Sequence, residues 1–278
     1  MINYARNQGL SLLETIIQNT GPIFTFEQAY QAGHERGISR QNLGNILSKM
    51  AASGWIARLK RGLYVIQSPL YEAEIHPFAI AQALVEPIAI SHWSALAYHS
   101  FTTQIPPMVQ ASTPTKVVTP EMRSGEAYRP RGTTAWKVLD LEIEYIHVKK
   151  DQFWGSTQEW VSNWHRVQIT DPERTTFDLI ARSDLFGGIS MAIETINLQL
   201  DKIDVPQLVN YALRYDVGAY IKRLGWILDI TETPDNVLAP LLAYETQNYH
   251  LLDPQGRSEG TPITRWKLYN NLPGVADA

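Results

Sequence analysis

Apolar positions recur with a helical period along the first part of the chain. Leu10, Leu12, Leu13, Ile16 and Ile17 fall on one helical face, and Asn19-Thr20-Gly21-Pro22 ends the run. Thr25 stands three residues before Gln28, the spacing of a capping box, and opens a second helix that runs to about Arg36 and stops at Gly37. Ser39 is positioned to cap a third helix, Arg40 to about Ala52, which Ser53-Gly54 ends. Trp55 to Ile66 then reads as a two-stranded hairpin with a basic tip at Lys60-Arg61-Gly62.

Three short helices followed by a hairpin predict a winged helix-turn-helix over residues 1–70. In its third helix, Leu43, Ile46, Leu47 and Met50 share one face and should pack on the first two helices. The opposite face carries Gln41, Asn45 and Ser48, flanked by Asn42 and Lys49. Amide side chains on an exposed helix suit the major groove, where Gln or Asn pairs bidentately with adenine. Arg40 in the first turn is within reach of a phosphate, and Arg58, Lys60 and Arg61 on the wing would neutralise phosphates beside the groove. Winged helices also dock proteins, so the pattern leaves protein docking open.

Composition shifts after Ser68-Pro69, which puts a boundary near residue 70. His76 to Leu84 reads as a helix. Ser91 is a candidate cap for another, with Trp93, Leu96, Ala97 and Phe101 as its apolar stripe. Thr102 to Arg131, rich in Thr, Pro, Ser and Gly, reads as extended strands and loops without helix. Leu141 to Val148 alternates as a half-buried strand does, and Trp164 to Thr170 is a further strand. Asp171-Pro172 has the order of a cap followed by a helix-opening proline. Helices are expected at Glu173–Arg182, Ile189–Leu200, Gln207–Tyr215, Ala219–Ile230 and near Val237–Gln247, with a closing strand at Trp266–Tyr269. The fold class is α+β: the winged helix precedes a larger domain over residues 71–278, mixed over 71–165 and mostly helical over 166–278.

Charge sharpens this division. The chain of 278 residues has a formal net charge of −4. Residues 1–67 hold seven basic and three acidic side chains, a balance of +4 that leaves −8 for the remainder. A basic module fused to an acidic domain is a pattern of nucleic-acid binders. There are no cysteines, which excludes disulfides, thiolate metal sites and a cysteine nucleophile. No stretch approaches the roughly 18–20 apolar residues of a membrane span, and the expected location is the cytoplasm.

Catalytic patterns are weak. His92 and His99 are seven residues apart, too far to share one ion on a helix, where four is the working spacing. Asp140, Glu142 and Glu144 invite a nuclease reading, but lysine is missing where metal-assisted phosphodiester cleavage uses it, and alternating acids suit a solvated strand face. No phosphate-cradling glycine loop or nucleophile elbow is present. The expectation is a non-enzyme with no catalytic residue, metal or cofactor. Asp171, Arg174 and Asp178 form the densest polar cluster of the second half. Asp171 is most simply a helix cap and Arg174 with Asp178 an intrahelical pair, but the set would bind a partner protein if that helix faced one.

Four stretches together resemble the AbiEi antitoxins of abortive-infection toxin–antitoxin pairs. They are Ser53 to Tyr64, Ser91-His92-Trp93-Ser94-Ala95-Leu96-Ala97-Tyr98-His99, Thr103-Gln104-Ile105-Pro106, and Asp171 to Asp178 with Gly187-Gly188-Ile189. The resemblance spans about residues 10–200. It implies an autorepressor whose winged helix binds inverted repeats in double-stranded promoter DNA. It also implies a C-terminal domain that counteracts a nucleotidyltransferase-like toxin, with or without direct contact. Carried onto this chain, Arg40, Gln41, Asn45, Lys49, Arg58, Lys60 and Arg61 are the DNA-facing set, and the basic wing matches the family best. A ligand-sensing regulator without a toxin, and a winged helix fused to a nuclease, are the alternatives.

Overall fold

The computed structural model describes residues 2–67, 75–124 and 134–273. In chain order its elements are α1 (Ile2–Thr20), β1 (Ile23–Thr25), α2 (Phe26–His34), α3 (Arg40–Ala52), β2 (Ile56–Lys60), β3 (Leu63–Ile66) and α4 (Pro77–Leu84). There follow β4 (Ala89–Ile90), α5 (His92–Tyr98), β5 (Val109–Thr113), α6 (Pro120–Ser124), β6 (Thr134–Val138), β7 (Leu141–His147), β8 (Ser156–Trp160) and β9 (Arg166–Thr170). The remainder is α7 (Pro172–Ala181), α8 (Ser190–Gln199), α9 (Val205–Tyr215), α10 (Gly218–Ile230), α11 (Asp235–Ala243), β10 (His250–Leu251), β11 (Thr261–Ile263) and β12 (Leu268–Asn270). The mixture of helices and sheets is α+β. Contacts divide the chain into two units, one of Met1–Ile88, Thr115–His147 and Gln158–Gln168, the other of Ala89–Pro114, Val148–Thr157 and Ile169–Ala278. The boundary expected near residue 70 lies outside the described residues.

In the first unit the helix starts follow their local sequence. The Gln28 amide N–H donates to Thr25 Oγ1 at 3.2 Å, and Thr25 N–H donates to Gln28 Oε1 at 2.7 Å, closing the capping box. Ser39 Oγ accepts from Asn42 N at 3.3 Å. Leu12 and Ile16 of α1, Ala29 and Ala32 of α2, and Leu43, Leu47 and Met50 of α3 form one core with Phe24, Ile56 and Ile66. The hairpin is not alone. β1 pairs antiparallel with β3, Ile23 opposite Val65 and Thr25 opposite Leu63, giving a three-stranded sheet in the order β1-β3-β2. Three residues between two helices are too few to show alternation, so only the long-range pairing makes β1 a strand. The order of helices, strand and hairpin is that of a winged helix.

The same unit holds α4 and the β6–β7 hairpin. β7 is buried without a break from Ile143 to Ile146, so it is covered on both faces and not half-buried. Glu144 is among the buried residues and does not belong to a solvated strand face. Helix α6 interrupts the segment expected to be extended. Thr119 Oγ1 accepts from Met122 N at 3.3 Å ahead of Pro120, the same cap-then-proline order as at Asp171-Pro172.

In the second unit β4 pairs antiparallel with β5 and parallel with β9 at Ile90 and Ile169. Helices α7 to α11 pack around Phe177, Ile196, Leu208, Leu224, Leu238 and Trp266. The closing sheet has the order β10-β12-β11, with β10 parallel and β11 antiparallel to β12. Trp266 is fully buried, and its indole lies directly on the backbone of Gly225 in α10, where a Cβ would stand 2.0 Å from the ring. Two effects of Gly225→Ala therefore oppose each other. Helix propensity favours alanine by about 1 kcal/mol, whereas overpacking of a core costs about 1–3 kcal/mol or more. A Cβ with three ring carbons within 2.5 Å lies far inside contact distance, so overpacking wins. We expect a net loss of roughly 2 kcal/mol or more, read as a lowered urea midpoint; an unchanged or raised midpoint would refute this packing.

Candidate nucleic-acid interface

Burial of Leu43, Leu47 and Met50 fixes the orientation of α3, which leaves Gln41, Asn45, Ser48 and Lys49 exposed. The uncharged face anticipated from helical periodicity is therefore open along the helix. Arg40 is engaged differently. Its guanidinium lies 3.0 Å from the Glu27 carboxylate, and it stacks over Phe26 and Tyr30 at 5.1 and 5.2 Å from the ring centres. Arg40 thus lies along α2 beside an acid and two rings, with its side chain still 60% exposed. Glu27 lies in a different helix, so the pairing has no local signature.

The wing is shaped by a bulge and a glycine. Pairing of β2 with β3 shifts register between Arg58 and Lys60, so Leu59 is the extra residue, and it is buried. Gly62 takes φ +75°, a left-handed conformation the two-residue turn requires, and its carbonyl accepts from Phe26 N at 2.8 Å. Arg58 and Arg61 are exposed, and like Lys49 they have no ion-pair partner among the described residues. Lys60, also exposed, makes a contact of its own. Its ammonium donates to the Leu84 carbonyl at 2.7 Å, and burial lowers its pKa against the opposing pull of Glu86.

The second candidate set is structural. Asp171 caps α7, with Oδ1 accepting from Arg174 N at 2.7 Å and Oδ2 from the Tyr211 hydroxyl at 2.7 Å. Arg174 and Asp178 are paired four residues apart, Nε to Oδ1 at 2.9 Å, but their side chains are only 4% and 3% exposed. Arg174 Nη1 also donates to the carbonyls of Gln152 and Trp154, at 2.9 and 3.2 Å. The Trp154 ring lies 4.5 Å from the Arg174 guanidinium and 4.4 Å from that of Arg214. Gly155, at φ +73°, makes room for this packing, since a Cβ there would stand 2.9 Å from that of Arg174. The partner-facing reading of Arg174 and Asp178 is corrected accordingly: both point inward. The spacing gave the pair, but not which way the helix turned it.

The two histidines have separate partners. His99 Nε2 is 2.7 Å from the Thr170 carbonyl. His92 is buried at φ +55°, stacked on Phe186, with Nδ1 2.7 Å from Ser91 Oγ, which is itself 2.9 Å from Ser112 Oγ. The Ser91 hydroxyl makes no helix-capping bond. Elsewhere in this unit a cavity of about 820 Å³ is bounded by Ile193, Trp226, Ile230, Ile263 and Leu272, with Arg265 at its polar side. The Arg265 guanidinium lies 3.2 Å from Asp229, which also accepts from Trp266 Nε1 at 2.7 Å.

Residues 11–67 match the family model described as transcriptional regulator, AbiEi antitoxin. No curated protein matches the sequence. Among solved structures, the crystal structure of the RV2827C protein from Mycobacterium tuberculosis is similar with a TM-score of 0.66. The similarity covers 96% of this chain and 92% of that one at 13% identity, a likeness of fold alone.

Burial holds the His92 pKa down at about 4, partly offset by Asp178 and Asp184 and reinforced by Arg182 and Arg174. An unfolded histidine titrates near 6.5. Between these values the unfolded chain binds the extra proton, so the stability from neutral His92 is complete above about pH 6.5 and is lost as pH falls toward 4. The slope is about 1.4 kcal/mol per pH unit. His92→Asn, which tolerates positive φ, should flatten this limb in urea titrations between pH 7.5 and 5. Equal slopes for both proteins would exclude His92 as its source.

Proposed function

We propose that this protein is a DNA-binding regulator and antitoxin, with α3 reading the major groove and the wing contacting phosphates. The observation that carries the reading is the pairing of an uncharged, exposed helix face at Gln41, Asn45 and Ser48 with the exposed cations Lys49, Arg58 and Arg61 around it. Amides discriminate base edges without the indiscriminate attraction of a charge, and cations supply affinity through counterion release. The match of residues 11–67 to AbiEi antitoxin regulators supports the same reading. By that resemblance the DNA is an inverted repeat in the protein's own promoter, and the larger part of the chain opposes a nucleotidyltransferase-like toxin. Regulator and antitoxin act in the cytoplasm in this reading.

The cavity beside α10 favours one second reading, a regulator that responds to a small molecule. Its volume and largely apolar walls suit a ligand pocket.

Fluorescence anisotropy with a duplex from the upstream region tests the DNA assignment. Arg58→Ala and Arg61→Ala should each weaken binding to all sequences and reduce the slope of log K against log salt by about one. Gln41→Ala and Asn45→Ala should instead relax base preference, by about 1–3 kcal/mol of discrimination. Binding indistinguishable from wild type in all four would remove the groove assignment. Antitoxin action is tested with the full chain co-expressed beside the neighbouring gene. The Arg58→Ala/Arg61→Ala double variant should still restore growth, because protection is assigned to the other part of the chain; failure of the wild type to protect would reject the antitoxin role.

A further inference from the structure

Five cations lie on α3 and the wing, and Lys60 is the wing cation that turns its ammonium to a helix carbonyl. We propose that Lys60 is a positioning residue that latches the wing to the C-terminal end of α4, and that it is not a phosphate contact. This inference rests on the DNA-binding reading and assigns the wing's pose to a helix outside the winged helix.

The last carbonyls of a helix have no partners within it and carry the negative end of its dipole. Leu84 is the final residue of α4, and the Lys60 ammonium donates to its carbonyl at 2.7 Å. The contact is therefore both a charge-assisted hydrogen bond and a favourable charge–dipole pair. Glu86, two residues beyond, adds a carboxylate that favours the charged lysine. Lys60 is otherwise exposed, so the contact turns the end of a surface side chain toward protein. The bulge at Leu59 is the device that aims it. With Leu59 buried as an extra residue, β2 bends just before Lys60.

A latch is useful only if its anchor is rigid, and α4 is well held within this unit. Ala79, Ile80, Ala81 and Leu84 are buried. The buried Tyr145 hydroxyl donates to the Ala81 carbonyl at 2.8 Å. The Gln82 side chain donates to the Arg166 carbonyl at 3.2 Å and accepts from Gln168 N at 3.1 Å, so its amide pairs with β9 much as a neighbouring strand would. The wing tip is thus fixed at two places: Gly62 on the start of α2 and Lys60 on the end of α4.

The test compares the full chain with its Lys60→Met and Lys60→Gln variants by amide hydrogen exchange and by salt-dependent duplex binding. A latch predicts about tenfold faster exchange over residues 58–63 in Lys60→Met, weaker duplex binding, and an unchanged salt slope. Lys60→Gln, which keeps a donor without the charge, should lie between Lys60→Met and wild type in wing exchange. A phosphate contact predicts the reverse: wing exchange as in wild type and a slope reduced by about one in both variants. That result would overturn the proposal, as would unchanged exchange with unchanged binding. If Lys60→Met does not fold, the exchange and slope of Lys60→Gln decide. Failure of wild type to bind the duplex would reject the DNA reading, while exchange in the free protein would still judge the latch.

Discussion

A cation removed from water must be given partners, and this requirement organises much of the molecule. Arg174 is the strongest case: nearly all of its side chain is buried, and it is met by a carboxylate, two carbonyls and an aromatic face. Removing one partner of such a pair leaves an uncompensated buried charge, which is far costlier than losing a surface ion pair. Its neighbourhood is accordingly restricted. Gly155 has no side chain because one would strike Arg174, and Asp171 is held from both sides by the Arg174 amide and the Tyr211 hydroxyl. Lys222 and Arg223 obey the same rule on α10. The Lys222 ammonium donates to the Leu241 and Leu242 carbonyls, and the Arg223 guanidinium donates twice to Leu251.

The cations around α3 are all exposed, yet they differ in what they touch. Arg40 pairs with Glu27 at the surface, and Lys60 turns its ammonium to the Leu84 carbonyl. Lys49, Arg58 and Arg61 have no ion-pair partner among the described residues and would supply the field that the proposed DNA contact needs. A sequence count of basic residues treats all five alike. Their difference lies in whether a carbonyl or carboxylate comes within about 3 Å, and that depends on helices packed from elsewhere in the chain.

Much of the fold was legible because its signals are local. The Thr25–Gln28 box, the Ser39 cap and the Asp171-Pro172 start each depend on residues within a single turn. The same holds for the hairpin tip at Arg61-Gly62. β1 was not legible, since three residues acquire strand geometry only by pairing with β3 some forty positions later. The continuous burial of β7 was hidden for a related reason: its alternating Glu142 and Glu144 resemble a wet face, but Glu144 is covered. Alternation describes a strand with one solvated side and fails when both sides are packed.

The sequence by itself determined where helices start and stop, that Arg174 and Asp178 pair, that charge is concentrated at the basic end, and which face of α3 is polar. These follow from backbone hydrogen bonding and the 3.6-residue period, which act over a few residues. Tertiary structure alone decided that Arg174 and Asp178 point inward. It also brought Lys60 to a carbonyl 24 residues away and seated Trp266 on Gly225. The physical reason is the same in each case. Packing chooses partners among all segments of the chain, and a periodic pattern states that a face is apolar or charged without stating what will meet it.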